Sequence, residues 1–271
     1  MRFQILISTV DNHYQQKGLS LLTPHLVINQ LITFVGVGAP RPTTNRLENS
    51  ESVDDSRENL FDYREKGLSK SRNHALDHAT GEICLLSDDD LYYKEDIDSL
   101  IIQAFREHPT ADIITFQIET PDGKAFNTYG DKPFWHNKRS IMRVASVEIT
   151  FKRNSINKTH LRFDEYFGLG AEFPTGEENI FLADALDKGL KLLYMPTPIV
   201  IHPPESSGQN YDDIKLVQAK GAMFERIFGL KGYAVSFLFA FKKYKPSRHS
   251  LFQFYSMMLQ GAKKYRSLKS C

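Results

Sequence analysis

Three consecutive aspartates, Asp88, Asp89 and Asp90, follow a short apolar run that ends at Ser87. Adjacent carboxylates repel. A hard divalent cation, Mg2+ or Mn2+, offsets that repulsion and takes oxygen ligands. A helix start also favours acid, but its dipole and cap account for one aspartate rather than three. Two further carboxylates, Glu177 and Glu178, follow the stretch FGLGAEFPTG. Glu178, Phe181, Leu182, Ala185 and Leu186 repeat at i, i+3, i+4, i+7 and i+8, so Glu178 heads an inward helical face and Glu177 lies off it. A carboxylate so placed suits a general base whose pKa its neighbour raises. The other reading is a pair of acids on a helix dipole behind a Thr175 cap. Arg72 interrupts the apolar stripe of Leu68, Ala75, Leu76 and Ala79. With Lys70, near a helix start, it suits a phosphate; an arginine snorkelling from a packed face is the alternative. Ser69 or Ser71 is the expected cap of that helix, and Gly81 its expected stop. His202 closes the run PIVIH. It is a candidate metal ligand or a hydrogen-bonded structural residue.

The elements that must position these groups follow from periodicity. Strands are expected at 3–8, 25–29, 83–86, 112–118, 147–152, 190–195 and 198–202. Helices are expected at 69–79, 95–107, 177–188 and in several pieces after 213. Alternation of the two predicts an α/β fold with a mostly parallel sheet flanked by helices. Ile97, Leu100, Ile101, Ala104 and Phe105 form the inward face of the second helix, which puts the aspartates on a strand-to-helix turn. In open α/β sheets the ligand crevice lies off the carboxyl ends of the strands. Residues 38–59 are polar and aperiodic and read as a mobile loop.

The composition is that of a globular protein, with 271 residues, 41% hydrophobic and 25% charged. Two cysteines, Cys84 and Cys271, provide no disulfide framework or zinc spacing and point to a reducing compartment. The N-terminus reads as a strand rather than a signal peptide, and no apolar run reaches membrane-spanning length. The net charge of +1 hides an asymmetry. From Lys215 onward there are 12 Lys/Arg and one acid, Glu225, giving +11; the rest carries 22 basic and 32 acidic residues, giving −10. The segment GLKGYAVSFLFAFKKYK suits an anionic membrane interface, with Phe237, Phe239 and Phe241 inserting, or a helical pair packed on the body.

The ordered set STVDN, GLSKSRNHALDHATGEICLLSDDD and GEENIFLADALDKGLKLLYMPTPIVIH resembles the family 2 nucleotide-sugar glycosyltransferases over residues 3–205. It looks most like the bacterial capsule and exopolysaccharide branch. Arg72, Asn73, Gly81, Glu82 and Asp88–Asp90 match the family's phrase in order. The resemblance implies a GT-A fold, Rossmann-like, with a nucleotide-sugar half at 1–110, an acceptor half at 111–205 and a helical C-terminal extension at 206–271. It implies inverting transfer from a nucleotide-diphosphate sugar, UDP-linked first, to a glycan or polyprenyl-linked glycan. Asp88 and Asp90 match the metal motif with Asp89 between them, and His202 is available to complete the site with Mn2+ or Mg2+. Lys70, Arg72 and Asn73 would accompany the donor. Glu178 takes the base position of a pair in which Glu177 is the other candidate. Thr9 and Asn29 match the strand ends that meet the nucleobase. No nucleic-acid partner is expected, and the location implied is the cytoplasmic face of the cell membrane. A nucleotidyltransferase would use similar acids, but STVDNHYQQKG lacks its glycine-rich phosphate loop. A non-catalytic subunit of a polysaccharide assembly complex would not need Arg72 and Glu178.

Overall fold

The computed structural model describes residues 1–9, 29–35, 58–63, 65–88, 91–202 and 210–270. A nine-stranded mixed sheet forms the centre. Strands β1 (Phe3–Thr9), β2 (Asn29–Val35), β3 (Glu58–Tyr63) and β4 (Ile83–Ser87) are parallel in the order β3-β2-β1-β4. β1 is buried along its whole length, as a near-continuous apolar run in a parallel sheet must be. Beyond β4 lie β8 (Ile149–Lys152), β6 (Ile113–Glu119) and β9 (Leu192–Ile201). β8 is antiparallel to both neighbours, while β6 and β9 run parallel. Two-residue strands β5 (Tyr92–Tyr93) and β7 (Phe134–Trp135) add antiparallel to β9.

Several boundaries differ from the periodicity. The second strand starts where the expected one ends, at Asn29, and 25–28 lie outside the described residues. Residues 58 and 59 of the expected loop belong to β3; 38–57 are outside the described residues. The strands expected at 190–195 and 198–202 are one strand, β9, whose register against β6 shifts near Gln117.

Helices α1 (Leu68–His78), α2 (Ile97–Glu107), α3 (Arg153–Lys158) and α4 (Glu177–Asp187) cover the sheet. Of the expected face of α2, Ile97, Ile101, Ala104 and Phe105 are buried and Leu100 is half-buried. Neither serine caps α1: Gly67 precedes it, and Ser69 Oγ instead donates to the Phe167 carbonyl at 2.6 Å. Gly81 lies past the helix end, where a Cβ would come within 2.6 Å of Gln4 Cβ.

The C-terminal helices are α5 (Ile214–Phe228), α6 (Gly232–Lys243) and α7 (Leu251–Lys269). α5 and α7 cross at backbone contact. A Cβ on Gly221 would lie 2.0 Å from the Met258 carbonyl oxygen, and one on Gly261 1.9 Å from that of Gln218. Val217, Met223, Phe254 and Tyr265 of these helices share one core with Phe163, Phe167 and Phe181. The expected extension is therefore built into the body. No helix among the described residues is long and apolar enough to cross a membrane.

Candidate functional site

The site begins at the start of α4. Gly176, with φ +101°, turns the chain into the helix against Met223 of α5. Glu177 thereby enters the interior, 6% exposed, and its Oε1 accepts from Arg72 Nη1 at 3.0 Å. Arg72, 2% exposed, reaches the other way as well, donating from Nη2 to Asp88 Oδ1 at 3.1 Å. One guanidinium thus ties together α1, the carboxyl end of β4 and the start of α4. Burial alone would lower the Arg72 pKa; the carboxylates of Asp88, Glu177 and Glu178 more than reverse this and raise it. Its aliphatic and planar surface is accommodated beside Phe163, whose ring centre lies 5.6 Å away.

This chain assigns the two glutamates different surroundings. The helical stripe puts Glu178 inward and Glu177 aside; in the fold, Glu177 is the deeper residue and is held by Arg72, while Glu178 is half-buried. Desolvation and the charge of Glu177 push the Glu178 carboxyl up to about 8, against the restraint of Lys220 and Arg72. With that pKa the carboxyl is largely protonated at neutral pH, and the carboxylate it forms on losing that proton is a stronger proton acceptor than an ordinary glutamate.

The other expected site residues divide. Asp88 stands at the carboxyl end of β4 with its side chain 35% exposed. Asp89 and Asp90 lie outside the described residues. A carboxylate at the sheet edge fits a hard cation, but among the described residues no three His, Cys, Asp or Glu side chains gather as a metal group. His202 follows β9, donates its N–H to the Glu119 carbonyl at 2.8 Å and meets Phe126 edge-on. β5 pairs beside it, Tyr92 with Ile201, so the chain after the aspartates runs to the same edge. Lys70 pairs with Glu65 at 3.1 Å. Asn73 is engaged by the loop at Phe163. Its amide donates to the Phe163 carbonyl and accepts from the Phe163 N–H, bracing that loop against α1. Thr9 is buried at the carboxyl end of β1. Asn29 is a correction: it pairs with Gln4, five residues back along β1 from Thr9, about 16 Å from the carboxyl edge. The expected strand ended at Asn29, whereas the observed one begins there, so the residue falls at the opposite edge of the sheet.

A second group of polar residues went unmarked by any motif. Glu148, 2% exposed, precedes β8, and Tyr129 donates its hydroxyl to Glu148 Oε1 at 2.6 Å. Desolvation pushes Glu148 up to about 8. His136 bonds Thr115 at 2.8 Å and Ser140 at 3.0 Å, and burial lowers it to about 4. These groups line a cavity of about 330 Å³. The one available signal was a glutamate at the head of the apolar run VEITF, which periodicity places in the sheet without a partner.

Residues 51–167 match the family described as glycosyl transferase family 2. The fold is similar to that of S. aureus TarS. A TarS structure of residues 1–349 aligns with a TM-score of 0.59 at 13% identity, over 98% of this chain and 92% of that one. The same TarS segment in complex with UDP-GlcNAc aligns with a TM-score of 0.59 at 12% identity, with the same coverage. A longer TarS structure aligns at 0.57 and 14% identity over 92% of this chain, which spans 44% of its length. At such identity the likeness is one of fold. No curated protein matches the chain.

Proposed function

We propose that the chain transfers a sugar from a nucleotide-diphosphate donor to an acceptor hydroxyl with inversion. Glu178 takes the hydroxyl proton, the oxygen bonds to the anomeric carbon, and the bond from that carbon to the diphosphate oxygen breaks, releasing nucleoside diphosphate. The observation that carries this reading is the division of labour in the glutamate pair. Arg72 engages Glu177, and the adjacent Glu178 has a raised pKa. Asp88, Asp90 and His202 would hold Mg2+ or Mn2+, which when bound supplies neutralising charge to the diphosphate. A UDP-linked donor is supported by the TarS complexes with UDP and with UDP-GlcNAc. A panel of nucleotide sugars, read by released nucleoside diphosphate, tests the reading: no release from any donor overturns it. Full turnover in excess chelator would remove the cation from it.

The acceptor we propose is a glycan or polyprenyl-linked glycan of bacterial capsule or exopolysaccharide synthesis, met at the cytoplasmic face of the membrane. Support comes from α6, where Phe237, Leu238 and Phe241 are exposed and Lys242, Lys243 and Lys245 follow. Phe239, expected to insert with them, instead packs on Tyr211, Phe224 and Phe254. Each basic residue near an anionic leaflet contributes about 1 kcal/mol, so the lysines alone give a few kcal/mol, weakened by salt. Sedimentation with phosphatidylserine vesicles at low and high salt checks this; no binding at low salt leaves a soluble acceptor.

A further inference from the structure

The cavity around Glu148 lies on the face of the sheet that carries α4. Thr115 and Tyr194 project into it from β6 and β9, two residues on from Ile113 and Leu192 of the core beneath α1 and α4. Its outer wall is the segment 139–144. Asn179 fastens that wall to α4, donating to the carbonyls of Ile141 at 3.0 Å and Val144 at 3.3 Å. Asn179 is the residue after Glu178, and the charge of Glu178 reaches Glu148. The cavity wall is thus fastened to the first turn of the helix that carries Glu178.

The lining says what kind of molecule fits. Phe134 is 40% exposed and its ring centre is 4.7 Å from that of Tyr194, forming an apolar surface. Around it stand hydroxyl, amide and imidazole groups, including the neutral His136. An aromatic wall with several convergent neutral polar groups suits the CH-rich face and hydroxyl edge of a sugar ring. At the rim stand Arg139 and Arg143, both exposed. Neither side chain has a carboxylate or other hydrogen-bonding partner among the described residues, whereas Arg72, Arg162, Arg226 and Arg266 each hold an acid. Guanidinium forks match carboxylate and phosphate geometry.

We infer that this cavity is the acceptor subsite and that it takes an acidic saccharide, with a sugar ring against Phe134 and a carboxylate or phosphate on Arg139 and Arg143. The inference rests on the sugar-transfer reading and adds the acceptor's chemical class. The one acid inside the cavity does not oppose it: Glu148, raised to about 8 by burial, is mainly protonated at neutral pH.

Trp135, the single tryptophan of the chain, neighbours Phe134 in β7 and is half exposed, so its fluorescence reports on this region. The intact protein is titrated with a hexuronate oligosaccharide, a sugar phosphate and a neutral oligosaccharide of the same length. At least one acidic ligand should produce a saturable change, with the neutral ligand at least tenfold weaker. Arg139→Ala with Arg143→Ala should weaken the acidic ligand at least tenfold; both side chains are exposed, and circular dichroism checks folding. Equal binding of acidic and neutral saccharides, unchanged binding in the double variant, or no saturable change with either acidic ligand overturns the inference. Donor hydrolysis is followed in parallel on the unmodified protein. Hydrolysis without saccharide binding overturns this inference alone; saccharide binding without turnover of any donor overturns the transfer reading and leaves the subsite standing.

Discussion

Glu177 and Glu148 are both almost wholly buried, at 6% and 2% exposure, yet one faces a guanidinium and the other a phenol. The guanidinium beside Glu177 offsets its desolvation with one charge-assisted hydrogen bond. Among the described residues no cation stands in hydrogen-bond contact with Glu148, and burial pushes its carboxyl up to about 8. The same residue type thus meets a guanidinium in one place and serves as a mainly neutral donor or acceptor in another. Glu178, next to the first and sensed by the second, takes a middle place: half-buried, raised, and outside the arginine's hydrogen bonds.

The largest change should come from removing the cation. Arg72→Ala strands two carboxylates, one of them buried, and should cost about 3–5 kcal/mol in denaturant unfolding. Replacing Arg72 and Glu177 together by Met and Leu should recover most of that stability without recovering activity. If the single replacement is as stable as the native chain, the pair is not what distinguishes the two glutamates.

Glu178→Gln should cut transfer by about 10²–10⁴ while leaving donor binding in place. In the native chain kcat/KM should rise with pH and level off past about 8, because the base acts deprotonated. A greater loss in Glu177→Gln with folding intact would reverse the assignment within the pair.

Glu148 makes a pH-dependent contribution. Its folded pKa lies above the ordinary carboxyl value of 4.5, so the native state binds the proton more tightly than the unfolded chain. Its stabilisation is complete below about 4.5, falls as pH rises, and is gone past about 8. Glu178 adds to the slope in the same window. Glu148→Gln should flatten that slope by a few kcal/mol between the two limits, seen in unfolding free energies across pH. An unchanged slope would mean that Glu148 is ionised in the fold.

The smallest effect concerns the loop over Glu177. A Cβ on Gly168, at φ +103°, would lie 3.2 Å from Ser69 Oγ and 3.3 Å from Glu177 Cδ. Gly168→Ala should cost about 1–2 kcal/mol from backbone strain and disturb Glu177 without touching Glu148. A change in the pH slope assigned to Glu148 would show that the two sites are coupled.

Much of this was legible locally. The period of α2 and the apolar run of β4 that ends before Asp88 follow from neighbours in sequence, and the fold keeps them, with β5 added between them. The family phrase from Arg72 to the aspartates also needed no structure. Local reading erred where pairing decided the outcome. β2 begins at Asn29 because its register against Gln4 fits, which moved that residue to the far edge of the sheet. β5 and β7, two residues each, exist only as partners of β9.

The sequence by itself determined the α/β alternation, the acids at a strand end and the helix that carries the glutamate pair, because side-chain periodicity is a property of the local backbone. The tertiary structure alone decided which glutamate Arg72 holds and which stays outside its hydrogen bonds. Arg72 meets Glu177 across 105 residues, and Tyr129 meets Glu148 across 19. No periodicity encodes those meetings; they arise when register and packing bring distant polar groups into one interior, where each must find a partner or change its charge.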